Sequence, residues 1–359
     1  MRNRLTFLIC ILCILCMIPA LHAQEYRWRI GLDYFFDNRE YEKSSFTDPQ
    51  TLHGVWLNTL GGIRWDSTHT IYAGVNLLKI FGMNKAINKT DMTLYYQYKR
   101  PKMLFRAGAF PRKEVLPNYS DFFFKDSVNH FIPLMQGIFW QIGEDDNFFN
   151  AWMDWTGCAT ANTRESFYLG LSGKASKGIF FGDFQSYLFH YAGTFPENPA
   201  YGVSEQIQGM ASVGLEYEAA NSFKGLLSAG IFVGLERDRK AEESYKPMGF
   251  IARADAELYG IGTENRLYRG NARMRLFPVY GADLYWGTPF LRSPTYLQSR
   301  WYIRLLESHH VSARINCNFH FSEGQILLQQ TLSITANIGN FLNQERRKKV
   351  DYPWKRIFR

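Results

Sequence analysis

Apolar and polar residues alternate with a period of two along much of this chain, which limits the folds that it can adopt. In residues 311–321, Val311 and Ile315 lie on one side of the pattern, and Ser312 and Asn316 lie on the other. The same period recurs at residues 211–218, 250–258, 268–276 and 326–338. Successive side chains of a β-strand point to opposite faces, so this pattern predicts strands with one apolar and one polar face.

The length of the predicted strands favours strands that cross a membrane. They run for about 9–13 residues, and a tilted strand needs about 9–11 to span a bilayer. Aromatic residues lie near their ends, as they do in interfacial girdles. These residues are Tyr26, Trp28, Tyr96, Tyr98, Trp155 and Trp301. In 326–338, Gln330 is the one polar residue on the apolar side.

The predicted connections alternate between short and long. Short ones such as 66–69 and 101–102 are followed by long ones such as 37–52 and 111–133. Short turns at one end and long loops at the other are typical of outer-membrane barrels. We therefore predict an all-β fold, a transmembrane antiparallel up-and-down β-barrel of about 16 strands, with 14–18 allowed. The alternative is a large soluble β-sandwich or β-solenoid, in which the apolar faces meet in a shared core.

The two ends of the chain differ from this middle. Residues 1–23 carry Arg2 and Arg4, an apolar run and Ala23, which is the layout of a cleaved signal peptide. Residues 24–341 form the predicted barrel, and residues 342–359 form a basic tail. A signal peptide combined with a barrel predicts localisation in the outer membrane.

Composition limits the partners. The formal net charge is +8 and 16% of the residues are aromatic. Export argues against nucleic acid as a partner despite the basic charge. We expect the chain to contact outer-membrane lipid and small anionic or polar solutes.

With this organisation the chain resembles Gram-negative outer-membrane porins. The resemblance is architectural, and residues 104–112, LFRAGAFPR, are similar to the Arg-x-Gly-x-Phe strand of substrate-selective porins. It implies a channel for small hydrophilic solutes, and it is the only ground for expecting a homotrimer. It also implies that the third long connection folds into the channel and narrows it.

Arginines are concentrated on the polar faces of the last predicted strands. An arginine that faces lipid near the midplane costs roughly 2–4 kcal/mol, so we expect these to line the pore and to attract anions. The predicted pore-lining residues are Arg253, Arg269, Arg273, Arg275, Arg300, Arg304 and Arg314. The alternative is ion pairing inside a plugged lumen, with acidic residues such as Asp255, Glu257, Glu216 and Glu218.

The third long connection, residues 111–133, is too apolar to extend into water. If it forms the constriction that the resemblance implies, Glu114, Asp121 and Asp126 face the pore across from basic wall residues. The alternative is a loop that packs on the rim or binds a partner.

No sequence motif points to catalysis. After the signal segment there is no Gly-x-Ser-x-Gly, His-Glu-x-x-His or Cys-x-x-Cys pattern. We therefore expect no enzyme, no metal site and no cofactor. The predicted function is a porin biased toward anions. The alternative is a non-conducting outer-membrane barrel, a surface or secretion-machinery component that docks partners through its long loops.

Overall fold

The computed structural model describes residues 24–144, 146–219 and 223–340. The predicted signal peptide, 1–23, and the predicted basic tail, 342–359, lie outside the described residues.

The described chain forms one antiparallel sheet. Its strands are β1 Gln24–Glu40, β2 Gln50–Trp65, β3 His69–Ile80, β4 Lys89–Arg100, β5 Met103–Pro111, β6 Leu134–Glu144, β7 Asn147–Gly157, β8 Ser166–Lys177, β9 Phe180–Tyr191, β10 Ser204–Ala219, β11 Phe223–Asp238, β12 Glu243–Tyr245, β13 Met248–Leu258, β14 Ile261–Gly270, β15 Thr295–Glu307, β16 Val311–Ser322 and β17 Gln325–Gly339.

The sheet closes on itself because β1 pairs with β17 as well as with β2. The pairing of β1 with β17 runs from Arg29↔Gly339 to Glu40↔Leu328. The three-residue β12 and the longer β13 both pair with β11, so the barrel has 16 transmembrane strands. The predicted fold class is confirmed.

The wall alternates between an outer apolar face and an inner face. In β1, Ile30 and Leu32 are 43% and 41% exposed, whereas Phe35 and Asp37 on the opposite face are 4% and 0% exposed. The exposed hydrophobic residues of β1 thus lie on the outer face of the barrel, as a lipid-facing wall requires.

The two ends of the barrel differ in their connections. At one end, here called the turn end, strands are joined by short turns such as the one between β4 and β5. At the other, the loop end, the connections are mostly long. The exception is the turn between β16 and β17, where Glu323 and Gly324 adopt positive φ values of 56° and 71°.

Two of the long connections fold into the barrel. Inner segment A, residues 112–133, contains the short helices α1 Arg112–Val115 and α2 Asp126–Phe131. Inner segment B, residues 271–294, contains α3 Phe277–Tyr280 and two 3₁₀ turns. None of the described helices has the length and apolar character needed to cross a membrane.

The inner segments fill the loop half of the lumen with a hydrophobic core. Phe122, Phe123 and Phe124 of segment A are at most 5% exposed and pack against inward aromatic rings of the wall. The wall contributes Tyr168, Tyr187, Phe189, Phe232, Tyr268 and Tyr296. Burial of this much aromatic surface stabilises the fold by about 25 cal/mol per Å² of apolar area removed from water.

Hydrogen bonds and an ion pair hold the inner segments in place. The backbone N–H of Lys125 donates to the carbonyl of Trp286 at 2.9 Å, which joins the two segments. Arg112 forms an ion pair of 2.6 Å with Asp154 on the wall, and both side chains are 2% exposed. The Arg112 guanidinium also lies 5.5 Å from the centre of the Trp286 ring.

The prediction of a strand over residues 268–276 is wrong after Gly270. β14 ends at Gly270, and the chain then turns into the lumen, with Met274 at φ 58°. Met274 and Leu276 alternate with arginines as in a strand, yet they are buried in the interior core. Alternation alone does not distinguish a wall strand from an irregular segment that buries every second residue.

Candidate functional site

Four of the predicted pore-lining arginines face the lumen, and each contacts a carboxylate. They are Arg253, Arg300, Arg304 and Arg314. Arg304 lies 2.7 Å from Glu257, and Arg314 lies 2.8 Å from Glu264. Arg253 pairs with Asp255. The ion pairs of Asp255 and Glu257 match the second interpretation of the sequence, whereas Glu216 and Glu218 contact Lys174 and Lys224 instead.

The other three arginines lie elsewhere, which corrects the prediction of one continuous stripe. Arg269 is exposed on the face of β14 opposite to buried Tyr268, so it is outside the barrel. Arg273 is 1% exposed, and its guanidinium lies 3.6 Å from the centre of the Phe232 ring. Arg275 lies over Tyr245 at 5.5 Å. Arg273 and Arg275 are displaced because the chain leaves the sheet after Gly270. Arg269 lies within β14, where the inward face carries Tyr268.

Glu114 of inner segment A lies between two wall arginines. Its carboxylate is 2.7 Å from Arg29 and 2.8 Å from Arg106. Burial by itself would raise the pKa of Glu114, but the two guanidinium groups lower the pKa to about 2. Glu114 is therefore charged and neutralised by the wall.

Asp121 and Asp126 both face Arg300, at 3.5 and 3.4 Å. Burial opposes ionisation of Asp126, but Arg300 lowers its pKa overall. The three acidic residues of segment A thus lie across from basic wall residues. That they form a constriction for a solute stays a prediction.

A cavity lies between the two inner segments and the wall at the loop end. Its volume is about 60 Å³, and its lining includes Arg39, Tyr41, Asp121, His320 and Gln329. Ligand pockets commonly measure roughly 300–1,000 Å³, so this cavity is small for a substrate.

A cluster of polar side chains lies on the outer wall at the loop end, where the barrel closes. We call it the seam patch and define it as Tyr34, Asn38, Glu40, Thr51, His53 and Gln330. It lies on three adjacent strands, β17, β1 and β2. Polar side chains on a lipid-facing wall are unfavourable unless they bind one another or a ligand.

The part of the seam patch nearer the loop end is a row of hydrogen-bonded side chains. Asn38 is directly opposite Thr51 on one side and Gln330 on the other. The Thr51 hydroxyl donates to Asn38 Oδ1 at 2.8 Å, and Asn38 Nδ2 donates to Gln330 Oε1 at 2.6 Å. Asn38 Nδ2 also lies 3.2 Å from Glu40 Oε1. The row therefore has fixed donors and acceptors.

The part of the seam patch nearer the turn end is a histidine–tyrosine pair. Nε2 of His53 and the hydroxyl oxygen of Tyr34 are 2.8 Å apart. The imidazole lies against Phe36 and Phe81, with ring centres 5.8 and 4.6 Å away. His53 is therefore held by rings on the lipid side of the wall and has one fixed polar partner.

The height of the seam patch follows from β1. The outward residues Tyr26 and Phe36 are separated by ten residues, which at about 3.3 Å each and a tilt of about 40° span about 25 Å. That is the height of the apolar band of an outer-membrane barrel. Asn38 and Glu40 come next, so the patch lies at the boundary between the apolar band and the lipid headgroups.

Sequence reasoning missed most of this patch. The pattern predicts a long connection over residues 37–52, whereas β1 reaches Glu40 and β2 begins at Gln50. The predicted connection therefore includes Asn38, Glu40 and Thr51. The one usable signal was Gln330, the polar residue on the apolar side of the last strand.

The described residues contain no group of three or more His, Cys, Asp or Glu side chains arranged to hold a metal ion. The functional groups of the seam patch are an imidazole, a phenol, a hydroxyl, amides and a carboxylate. Those groups can move a proton and stabilise a negative charge.

Solved structures with a similar fold are outer-membrane proteins. OpdL of Pseudomonas aeruginosa has a TM-score of 0.55 at 9% identity, over 88% of this chain and 99% of that one. The outer membrane protein OprD of Pseudomonas aeruginosa has a TM-score of 0.52 at 9% identity, over 88% and 94% of the two chains. At such low identity the likeness shows the fold alone, which is the outer-membrane porin fold expected from the sequence.

Curated proteins provide no match to this chain. A family model described as lipid A 3'-O-deacylase-type matches residues 18–345. This description is that of an enzyme, so the expectation that the chain is not an enzyme is wrong. That expectation relied on soluble-enzyme motifs, which need not occur when the reactive groups lie on separate strands of a barrel wall. The match covers nearly the whole chain, and the chain therefore belongs to the lipid A 3'-O-deacylase-type family.

Proposed function

We propose that this protein hydrolyses an ester-linked acyl chain of a lipid A-type glycolipid, and that the seam patch is its active site. The family description supports the reaction. The observation that carries the assignment of the site is the His53–Tyr34 pair on the lipid-facing wall.

The position of the pair suits a substrate that stays in the membrane. Outer-membrane barrels place their long loops outside the cell, so the loop end corresponds to the outer leaflet. The acyl ester bonds of a glycolipid lie where the headgroup meets the acyl chains, which is the height of the seam patch. A site in the lumen would require the acyl chain to leave the lipid.

A nearby connection offers contacts for an acyl chain. Phe81, Met83 and Ile87, in the connection between β3 and β4, are 42%, 54% and 48% exposed. The ring of Phe81 contacts His53. Apolar side chains that are exposed at this height favour contact with lipid.

The pair provides a general base. In the tautomer in which Nε2–H donates to the Tyr34 oxygen, Nδ1 accepts the proton of an attacking water. The water oxygen bonds to the acyl carbonyl carbon, and the bond from that carbon to the sugar oxygen breaks. The proton on His53 then passes to the sugar oxygen, so the products are a fatty acid and a free hydroxyl group.

The polar row complements this chemistry. The Asn38 amide is held between neighbouring strands by its bonds to Thr51 and Gln330. Its second N–H makes the longer bond to Glu40, at 3.2 Å, and can exchange that bond for a developing oxyanion or a sugar hydroxyl. A preorganised donor of this kind is worth roughly 10²–10³ in rate when it contacts the oxyanion.

The test is release of fatty acid from purified lipid A by the full chain in mixed micelles, followed by mass spectrometry. We expect release by the wild type and loss in His53→Gln. The matched control is His69→Gln, because His69 forms a similar pair with Tyr96 at the turn end. No release by the folded wild type, or equal release by both variants, contradicts the proposal. Heat-modifiable migration on a gel checks that each variant is folded.

A second candidate function is passage of small hydrophilic solutes with a bias toward anions. The observation that favours it is the lumen of the turn half, where Arg304 and Arg314 are 27% and 29% exposed. Their ion pairs reduce the expected bias, and the core of the loop half narrows the path. Conductance and reversal potential in a planar bilayer test it, and absence of conductance contradicts it.

A further inference from the structure

A second row of outward side chains crosses five adjacent strands at the loop end. In the strand register, Trp155 is opposite Phe167, and Phe167 is opposite His190. His190 is opposite Glu205, and Glu205 is opposite Arg237. We call this the arginine row. It runs from β7 to β11, across the barrel from the seam patch.

The first half of the arginine row is an aromatic stack. The ring centres of Trp155 and Phe167 are 5.2 Å apart at an interplanar angle of 18°. Those of Phe167 and His190 are 4.9 Å apart at 27°. Ile207, two residues below Glu205 on the same face of β10, is 38% exposed. The row therefore lies just above the apolar band, at the height of the headgroups.

The second half of the arginine row holds two guanidinium groups side by side. Nε of Arg237 and Nε of Arg239 donate to Glu205 Oε2 at 2.9 and 3.3 Å, and the Nη2 group of each also contacts this carboxylate. Glu205 is 6% exposed, whereas the arginine side chains are 41% and 53% exposed.

The charge of this cluster is not balanced by its own carboxylate. Two guanidinium groups share Glu205, and His190 Nδ1 is 3.9 Å from the same carboxylate. One positive charge is therefore left over. Each guanidinium has five N–H donors in a fixed fork. Glu205 accepts hydrogen bonds from Nε and Nη2 of each arginine. Nη1 of each arginine is therefore left for a ligand. Glu205 acts as a positioning residue for the two arginines.

We propose that Arg237 and Arg239 bind a phosphate group on the headgroup of an outer-leaflet glycolipid. Arginine binds phosphate through paired, charge-assisted hydrogen bonds, and the two groups lie at the height of lipid headgroups on the lipid side of the wall. The site uses no residue of the seam patch, so it does not depend on the proposed hydrolysis. It would hold a phosphoglycolipid whether or not that lipid is cleaved.

The test measures binding of bisphosphorylated lipid A and of the same lipid without phosphates, by native mass spectrometry of the full chain in detergent. The measurements are made in the His53→Gln background, so that hydrolysis does not consume the probe. We expect the Arg237→Gln/Arg239→Gln double variant to weaken binding of the phosphorylated lipid by about tenfold or more. Binding of the dephosphorylated lipid should not change.

The matched control is Arg100→Gln. Arg100 is an exposed, outward arginine at the turn end, where its guanidinium lies 5.3 Å from the Tyr98 ring. Unchanged affinity in the double variant, or an equal loss in Arg100→Gln, overturns the proposal. Displacement of the lipid by an equal concentration of inorganic phosphate identifies a site for free anions and also overturns it. If the double variant does not fold, Arg239→Gln alone is used, because Arg239 lies in the connection after β11.

Discussion

The outer wall of this barrel carries a histidine–tyrosine pair at each end. At the loop end, Nε2 of His53 is 2.8 Å from the hydroxyl of Tyr34. At the turn end, Nδ1 of His69 is 2.5 Å from the hydroxyl of Tyr96. Tyr34 and His53 lie on the adjacent strands β1 and β2, and His69 and Tyr96 lie on the adjacent strands β3 and β4. Both pairs are near the closure of the barrel, and both face lipid.

The neighbours of the two pairs differ. The loop-end pair lies below the row of Thr51, Asn38 and Gln330. The turn-end pair lies among aromatic rings, with Trp65 and Tyr98 at 5.6 and 5.0 Å from His69. The same two side chains are therefore part of a polar site at one end and of an aromatic girdle at the other. If the proposed hydrolysis takes place at the loop end, their surroundings and the leaflet that they face distinguish the two pairs.

The largest expected difference between the pairs is in hydrolysis. His53→Gln should lower the rate of fatty acid release about 100-fold or more, because a positioned general base contributes typically 10²–10⁴. His69→Gln should stay within about twofold, since it faces the other leaflet. Initial rates on micellar lipid A measure both, and a large loss in His69→Gln would remove the distinction between the two ends.

Removal of the polar row should make the surroundings of the loop-end pair resemble those of the turn-end pair and should lower the rate of hydrolysis. Asn38→Leu keeps the approximate volume but deletes the amide that joins Thr51 and Gln330. We expect about a tenfold loss of rate if the amide binds the sugar, and about 100-fold if it contacts the oxyanion. A rate equal to that of the wild type would show that the row has no part in the reaction.

Loss of the phenol oxygen should have a smaller effect. Tyr34→Phe removes one hydrogen bond to His53, worth about 1 kcal/mol, and should lower the rate roughly fivefold. Tyr96→Phe deletes the equivalent bond to His69 and should leave the rate unchanged. Steady-state rates at saturating lipid separate the two variants, and equal effects would argue that Tyr34 has only a structural role.

The lumen side of the wall also differs between the two pairs. We expect this difference to make the folding stability of the protein fall at acidic pH. Behind the loop-end pair, His130 of inner segment A stacks on Phe35 at 4.4 Å. Burial lowers the pKa of His130 to about 4. The unfolded chain, with an imidazole pKa of about 6.5, takes up the proton first as the pH falls, so stability is lost between about pH 6.5 and 4.

We expect the temperature of heat-modifiable migration to fall by roughly a few degrees from pH 7 to pH 5. His130→Phe keeps a ring on Phe35 and should reduce this fall, whereas His69→Phe should leave it as in the wild type. Glu114 and Asp126 do not account for a change in this range, because both have lowered pKa values. An identical fall in all three proteins would exclude His130 as its source.

Much of the barrel was predictable from the chain because its signals are local. The period of two in residues 311–321 and the alternation of short and long connections require no knowledge of distant contacts. The inward fold of residues 111–133 was also expected, on the basis of their apolar character and the porin resemblance. Burial of every second residue is a property that each strand carries by itself.

The strand ends near the loops were less predictable. Asn38 and Glu40 continue β1 because β17 and β2 pair with them on both sides, although their polarity is typical of a loop. Arg273 shows the opposite error, because its alternation with Ala272 and Met274 predicted a strand that the chain does not continue. In both cases a partner distant in sequence decides the structure.

An antiparallel barrel with an apolar outer face is predictable from the residues alone, since it follows from side-chain alternation along single strands. Which polar residues meet depends on how the strands pair around the whole barrel. Gln330 lies next to Asn38 because the last strand pairs with the first. Residues almost three hundred positions apart come together through closure of the sheet, and no local pattern records that contact.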